Sequence, residues 1–392
     1  MPERLSLPIV VALTRPSSVP LPGRVDCEQQ NFVMSKKHGK HGRGQRGERS
    51  GVTKSQDPRE PNPRAPGPAA GPPGQGSSKA SSRQAARQAA REAAPSSALW
   101  AAAAAEIAGL SPALLAGHIP ALPPAAAGIV TIEPGRPCLL SRIDPDADGG
   151  LDKDEAKAAL SVERARIQGL QERLYGEGKR SLLVVFQAID TGGKDGTIRS
   201  VLEGVNPQGC RVWSFKVPST EELDHDFLWR YHKRTPGRGM IGVFNRSHYE
   251  DVLVVRVKDL VPEEVWRARY GLINDFERLL TASGTTVLKF FLHISKDEQK
   301  ERLESRIADP EKHWKFDPAD LVERRSWDAY QAAFDDALTR CSTPYAPWHV
   351  VPANRKWFRN LIVARTIADT LEAMNPQFPA AAEGIAGLTV PD

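Results

Sequence analysis

Beyond about Leu139 the apolar residues change their spacing from one stretch to the next. In Asp154–Tyr175 they recur at Ala156, Leu160, Ile167, Leu170 and Leu174, the interval of one helix face, which predicts a helix ahead of the core. At Ser181 the periodicity gives way to SLLVVFQAID, a continuous apolar run that ends in glycines, as a parallel strand covered on both faces requires. A helix from about Gly193 to Glu203, a strand at Arg211–Val217, a helix near Glu221–Lys233 and a strand at Met240–Phe244 follow. PEEVW, with Pro and two acids in its first turn, opens a helix over Pro262–Ser283. The pattern then gives a strand at Thr285–Ile294 and helices at Asp297–Ile307 and Asp320–Leu338. A short strand at His349–Val351 and a closing helix at Lys356–Met374 complete it. Alternating strands and helices predict an α/β fold with a parallel sheet and helices on both faces.

The upstream part is different. Between Ser35 and Pro95, 13 Lys and Arg stand against 4 Asp and Glu, and Val52 is the one residue from the set Ile, Leu, Val, Met, Phe, Trp and Tyr. Such a segment cannot bury enough apolar surface to fold and is expected to be disordered. It puts a basic arm on a chain whose net charge is only +5. RQAARQAAREAA would align Arg83, Arg87 and Arg91 on one helical face. The arm could touch nucleic acid or polyphosphate nonspecifically, but composition favours a solvated low-complexity tail. Leu99–Ala127 is Ala-rich and reads as a marginal helix broken at Pro112 and Pro120. MSKKHGKHGRGQRGERSG from Met34 reads like a natural start, so residues 1–33 are a candidate over-extension of the gene. The boundaries expected are an extension over 1–137, a catalytic domain over 138–376 and a tail over 377–392.

Cys27, Cys138, Cys210 and Cys341 lie far apart with no CxxC pair, which excludes a zinc ribbon or disulfide scaffold and fits a reducing, cytoplasmic setting. No apolar run approaches the roughly 20 residues of a membrane span.

The chemistry concentrates in QAIDTGGKDGT, which joins the first buried strand to a helix. A phosphate-binding loop reads GxxxxGK and then Ser or Thr, its amides and helix N-terminus cradling the anion. Gly193-Lys194 fits; Ala188 stands where the first Gly belongs and Asp195 where the hydroxyl belongs. A glycine-rich strand-to-helix turn with a surface Lys is the alternative reading. Asp190 adds specificity, because a carboxylate in a phosphate cradle repels the ligand unless a cation intervenes, which implies Mg2+ held by Asp190. A cap on the loop's own amides is the alternative for that carboxylate.

GKDG, SFKVPS, HDFLWR, FNRSHYEDVLVVRV and RLESRIADPEKHWKF together resemble the polyphosphate kinase 2 family, specifically its class III polyphosphate:AMP phosphotransferases, over about Cys138–Met374. The resemblance implies a P-loop kinase-like three-layer sandwich with a helical lid. It implies Mg2+-dependent, in-line transfer from inorganic polyphosphate to AMP or ADP, giving ADP or ATP, in a homo-oligomer. Asp190, Lys194, Asn245 and Arg246 would then be catalytic. Polyphosphate and phosphate contacts would come from Gly192, Gly193, Lys194, Asp195, Gly196, Thr197, Lys216, Arg230, Arg302, Arg306, Lys312 and Lys315, and nucleotide contacts from Asp226 and Glu250. Asn245 stands where other classes carry a second metal-binding Asp, which leaves most of the metal load on Asp190. Each cation taken singly also fits a solvated surface charge. Arg302–Asp320 would form a cationic lid that excludes water.

The acceptor is a phosphate whose second pKa is about 6, so it is ionised at pH 7 and requires no general base. The sequence offers no Ser-His-Asp arrangement that would supply one. DPDADGGLDKDE (Asp144–Glu155) matches the spacing of a calcium loop. Pro134, Gly135 and Pro137 leave little room for its incoming helix, and Pro145 sits inside the loop. Two rival functions stay open: an ATP-donor nucleotide kinase on the same fold, and a nucleic-acid binder acting through the basic arm.

Overall fold

The structure, a computed structural model, describes residues 126–385 and 388–391. The basic arm, residues 1–33 and the Ala-rich stretch as far as Ala125 lie outside the described residues. Six strands form one sheet: β1 (Val130–Thr131), β2 (Ser181–Gln187), β3 (Cys210–Ser214), β4 (Ile241–Asn245), β5 (Thr285–His293) and β6 (Trp348–Pro352). Their order is β1-β6-β5-β2-β4-β3, parallel throughout except where β1 meets β6. The helices are α1 (Lys153–Glu177), α2 (Lys194–Val201), α3 (Thr220–Leu223), α4 (Trp229–His232), α5 (Val254–Val257), α6 (Glu263–Ala282), α7 (Lys296–Ala308), α8 (Ala319–Arg325), α9 (Trp327–Arg340) and α10 (Lys356–Met374).

All seven residues of β2 are buried, as the unbroken apolar run requires of a central strand covered on both faces. On one face, Lys289 of β5 meets Glu277 of α6, and Phe291 packs at a tilt against Phe334 of α9 with ring centroids 4.5 Å apart. Elsewhere α10 runs along α1 and touches α2 and β6. Arg166 of α1 bonds Asp369 at 2.9 Å, and Arg365 of α10 reaches the buried Glu163 at 3.0 Å.

Three features differ from the sequence reading. The sheet begins before Cys138: β1 pairs with β6, and Ile132 is buried with its N–H on the Trp348 carbonyl. A two-residue edge strand leaves no alternation to detect. The stretch near Glu221–Lys233 is two short helices, not one. Ser219 and Glu222 close a capping box on α3, and Asp226 then accepts the Leu228 N–H, a local turn that interrupts the helix. The long helix over Asp320–Leu338 is likewise divided at Ser326. Ahead of the break Arg324 faces α7, bonding Gln299 at 2.7 Å; after it Trp327, Tyr330 and Phe334 turn into the core.

β2 and β4 are neighbours, yet the chain leaves β2 toward β3 and leaves β4 toward β5 on the opposite side. Where successive connections diverge in this way, a crevice opens at the carboxyl ends of the two strands. Gln187–Lys194 and Asn245–Glu250 line it.

Candidate active site

The β2–α2 loop reverses in six residues, which it achieves with positive φ at Thr191 (64°) and Gly193 (98°). A Cβ on Gly193 would lie 2.1 Å from Nη1 of Arg359, and one on Gly192 2.5 Å from the Ala188 Cβ. Both positions therefore demand glycine. Gly193 caps α2, whose first amides have no intrahelical partner and whose dipole favours an anion. Gly196 lies beside Arg359. Lys194 is buried, with Nζ donating to the Ala188 carbonyl at 3.0 Å. Burial, and then the neighbouring Arg246 guanidinium, lower its pKa to about 8, against the opposing pull of Asp190 and Glu250. Thr197 points inward, its hydroxyl donating to the Gly193 carbonyl at 3.1 Å.

Across the crevice, Arg246 follows β4 with φ 62°. Its Nη2 donates to Asp190 Oδ1 at 2.6 Å, and its Nη1 lies 3.5 Å from Glu250. Gln187 donates to the other oxygen of Glu250 at 3.1 Å. Asn245 donates to Asp195 at 2.5 Å. Two non-glycine residues held in the left-handed region, one on each wall of a single crevice, cost about 1–3 kcal/mol each and mark a preorganised site.

The remaining predicted residues divide into three groups. Arg302 is buried beneath the loop: it donates to the carbonyls of Thr191 (3.1 Å), Ala353 (2.6 Å) and Asn354 (3.2 Å) and pairs with Glu298 (2.6 Å). Burial lowers its pKa, and its donors are spent on holding the loop. Arg306, Lys312 and Lys315 lie farther along, at the end of α7 and in the turn Pro310–Lys315. Arg306 is 3.8 Å from Asp320, Lys312 pairs with Asp309 at 2.6 Å, and Lys315 lies over the Trp314 ring. Lys216, Arg230 and Asp226 belong to the β3–β4 connection. Lys216 is exposed and offers its carbonyl to Arg230, which also pairs with Glu222 at 3.2 Å and covers the Phe215 and Tyr231 rings. Asp226 makes the turn described above.

Two site residues escaped the sequence. Gln299 donates to the Asp190 carbonyl at 3.0 Å. Arg359 is 3 % exposed and aimed at Gly193, and its guanidinium donates to the Asn360 side chain at 2.9 and 3.1 Å. Burial, with the Arg302 charge beside it, lowers its pKa to about 9. The signal for Arg359 was its place three and four residues before Ile362 and Val363, a charge on an apolar helical stripe.

The acidic turn at Asp144–Glu155 is committed elsewhere. Asp144, Asp148 and Asp152 accept backbone N–H groups of their own turn, Arg355 pairs with Asp148, and a single 3-10 turn (Leu140–Arg142) precedes it where a calcium loop needs a helix. Among the described residues no group of three or more His, Cys, Asp or Glu side chains forms a metal cluster. A magnesium ion does not need one, since it takes one or two carboxylates and completes its shell with phosphate oxygens and water. Asp190, one-third exposed with one oxygen on Arg246, is an all-oxygen donor of that kind at the mouth of the anion cradle.

A model of polyphosphate kinase 2 matches residues 150–379. The chain is 54 % identical over 250 residues to an AMP/ADP-polyphosphate phosphotransferase of Meiothermus ruber, covering 63 % of this chain and 94 % of that one. It is 45 % identical over 251 residues to an ADP-polyphosphate phosphotransferase of Rhodopseudomonas palustris, covering 61 % and 86 %. The solved structure of Polyphosphate Kinase 2 from Arthrobacter aurescens TC1 superposes with a TM-score of 0.62 at 42 % identity, over 66 % of this chain and 96 % of that one. A crevice that faces a glycine loop and its lysine with an arginine across a parallel sheet, on a chain so matched, belongs to a member of the polyphosphate kinase 2 family.

Proposed function

We propose that this protein moves the terminal phosphoryl group of inorganic polyphosphate to AMP and to ADP, the class III activity, with Mg2+ as cofactor. The observation that carries the reading is the Asp190–Arg246 contact across the crevice, beside the glycine loop and Lys194. The sheet order puts the loop strand β2 at the centre of five parallel strands, as in P-loop kinases. The ion, held by Asp190, would neutralise charge on the phosphates and orient them. The protein's own residues align two polyanions and neutralise the rest. The α2 amides and Lys194 bind one phosphate group, and Arg246 reaches from β4 toward the group in transfer. Asn245 fixes Asp195, and Glu250, held by Gln187, restrains Arg246. No side chain must take a proton, because the acceptor oxygen is ionised at neutral pH. Arg306, Lys312 and Lys315 form the cationic face of a lid over the entering chain. In an ATP-donor kinase of this fold a hydroxyl would follow the loop lysine; here Asp195 fills that place and is occupied by Asn245.

Incubation with polyphosphate as sole donor, and AMP or ADP as sole acceptor, tests the acceptor assignment. ATP should accumulate from ADP, and ADP before ATP from AMP. Consumption of neither nucleotide would overturn it.

A further inference from the structure

Directly behind Arg246 lies a cluster of polar side chains that the chemistry does not touch. His248, Glu277 and Lys289 are 0 % exposed, as is the ring-bearing Tyr249. Lys289 donates to Glu277 Oε2 at 2.6 Å, to the Tyr249 hydroxyl at 2.8 Å and to the Cys341 carbonyl at 2.7 Å. Tyr249 donates to Glu277 Oε1 at 2.7 Å, and His248 Nε2 lies 3.1 Å from the same oxygen. Burial alone would push the Glu277 carboxyl up, but the Lys289 ammonium and His248 hold it below its ordinary range, so the pair is ionic.

A buried ion pair is an expensive way to stabilise a core. Well-packed apolar residues of similar volume usually do as well or better. Its location suggests another use. His248 and Tyr249 are the second and third residues after Arg246, whose φ of 62° is strained for a residue that carries a Cβ and whose guanidinium must reach Asp190. Strain persists only where the surroundings over-determine it. One flank is fixed by the Arg246 N–H on the Phe186 carbonyl (3.1 Å). On the other flank Ser247 accepts the Tyr249 N–H on its hydroxyl at 3.3 Å and the Glu250 N–H on its carbonyl at 2.9 Å, and beyond it come the two rings that Glu277 and Lys289 grip. Phe276 and Trp348, edge-on to His248 and Tyr249 at 5.2 and 4.7 Å, leave those rings little freedom.

We infer that Glu277 and Lys289 are positioning residues: they clamp His248 and Tyr249 from beneath the sheet and so hold the strained Arg246 turn in the orientation that reaches Asp190. The inference rests on the role proposed for Arg246. It predicts that replacing the network lowers turnover only where Arg246 is present.

The test is a double-mutant cycle on the full chain. Glu277→Leu combined with Lys289→Met removes both charges together. Its melt should stay cooperative with a lowered Tm, because the Tyr249 hydroxyl, the His248 ring and the Cys341 carbonyl lose partners, its KM for AMP should change less than threefold, and its kcat should fall at least tenfold. Introduced into Arg246→Ala, the same pair should lower kcat by less than twofold further. Unchanged kcat in the folded pair variant would overturn the inference, as would an equal fall in both backgrounds, which marks a general loss of packing. Tyr249→Phe deletes one hydroxyl and keeps every ring contact, so it reads the same clamp should the pair variant not fold; about a threefold lower kcat is expected, and parental kcat would count against the clamp. If Arg246→Ala alone turned over normally, the role of Arg246 would fail and the clamp with it; if Arg246→Ala is inactive and the network variants are not, only the clamp fails.

Discussion

At the scale of single residues, the site is defined by groups placed where they are costly. Lys194 is buried against a carbonyl and faces Arg246, which lowers its pKa to about 8. The neutral form is therefore favoured in the free protein above that pH, whereas the charged form binds phosphate. kcat/KM for polyphosphate should fall as pH rises through about 8, and Lys194→Arg, charged throughout, should lose that fall; a pH–rate profile of both proteins checks it. Because the unfolded Lys keeps its proton up to its ordinary 10.5, the linked stability rises with pH between about 8 and 10.5, opposite in sign to the activity. Asp190→Asn and Lys194→Ala should each lower kcat by roughly 10²–10³, the scale of losing one preorganised electrostatic contact, with Tm changed little. Gly193→Ala is expected to be as damaging without removing any charge, since its Cβ needs the space of the Arg359 guanidinium and its φ is 98°. Thermal melts beside kinetics would separate these cases.

At the scale of elements, α7 links the loop to the lid. Gln299 and Arg302, three residues apart, hold the backbone of Asp190 and Thr191, and the same helix runs into the turn that carries Lys312 and Lys315. Arg302→Ala would leave two buried carbonyls and a half-buried one short of a donor, at about 1–3 kcal/mol for each buried one, so both Tm and kcat should fall; Arg302→Lys should not rescue, because one ammonium cannot span the Thr191 and Ala353 carbonyls. Lys312→Ala with Lys315→Ala should instead raise KM for polyphosphate severalfold with Tm unchanged.

The elements themselves were largely legible. The unbroken run at Ser181 and the acid-opened helix at Glu263 carry patterns that burial imposes directly. Lys194, Asp190 and Arg246 were visible because they sit in or beside strand ends with unusual neighbours. Arg302 was visible as a cation, but nothing in its local pattern distinguishes an arginine that meets polyphosphate from one that meets carbonyls of neighbouring loops. Gln299, β1, and the breaks at Asp226 and Ser326 depend on contacts between distant parts of the chain, which local periodicity does not record.

At the scale of the whole molecule, the described residues from Ala126 onward contain the complete sheet and both walls of the crevice. Deletion of residues 1–125 should leave turnover within about twofold, measured at saturating substrate; a binder working through the basic arm would lose its activity in the same deletion. Both substrates are polyanions, so activity should also decline steeply as salt rises. What distinguishes this enzyme from an ATP-dependent kinase is the identity of the donor. Purified protein given AMP, Mg2+ and long-chain polyphosphate, with ATP replacing polyphosphate in a parallel reaction, decides it most directly. Formation of ADP and then ATP in the first reaction, with little conversion of AMP in the second, is the outcome predicted here, and conversion of AMP only when ATP is supplied would contradict the account.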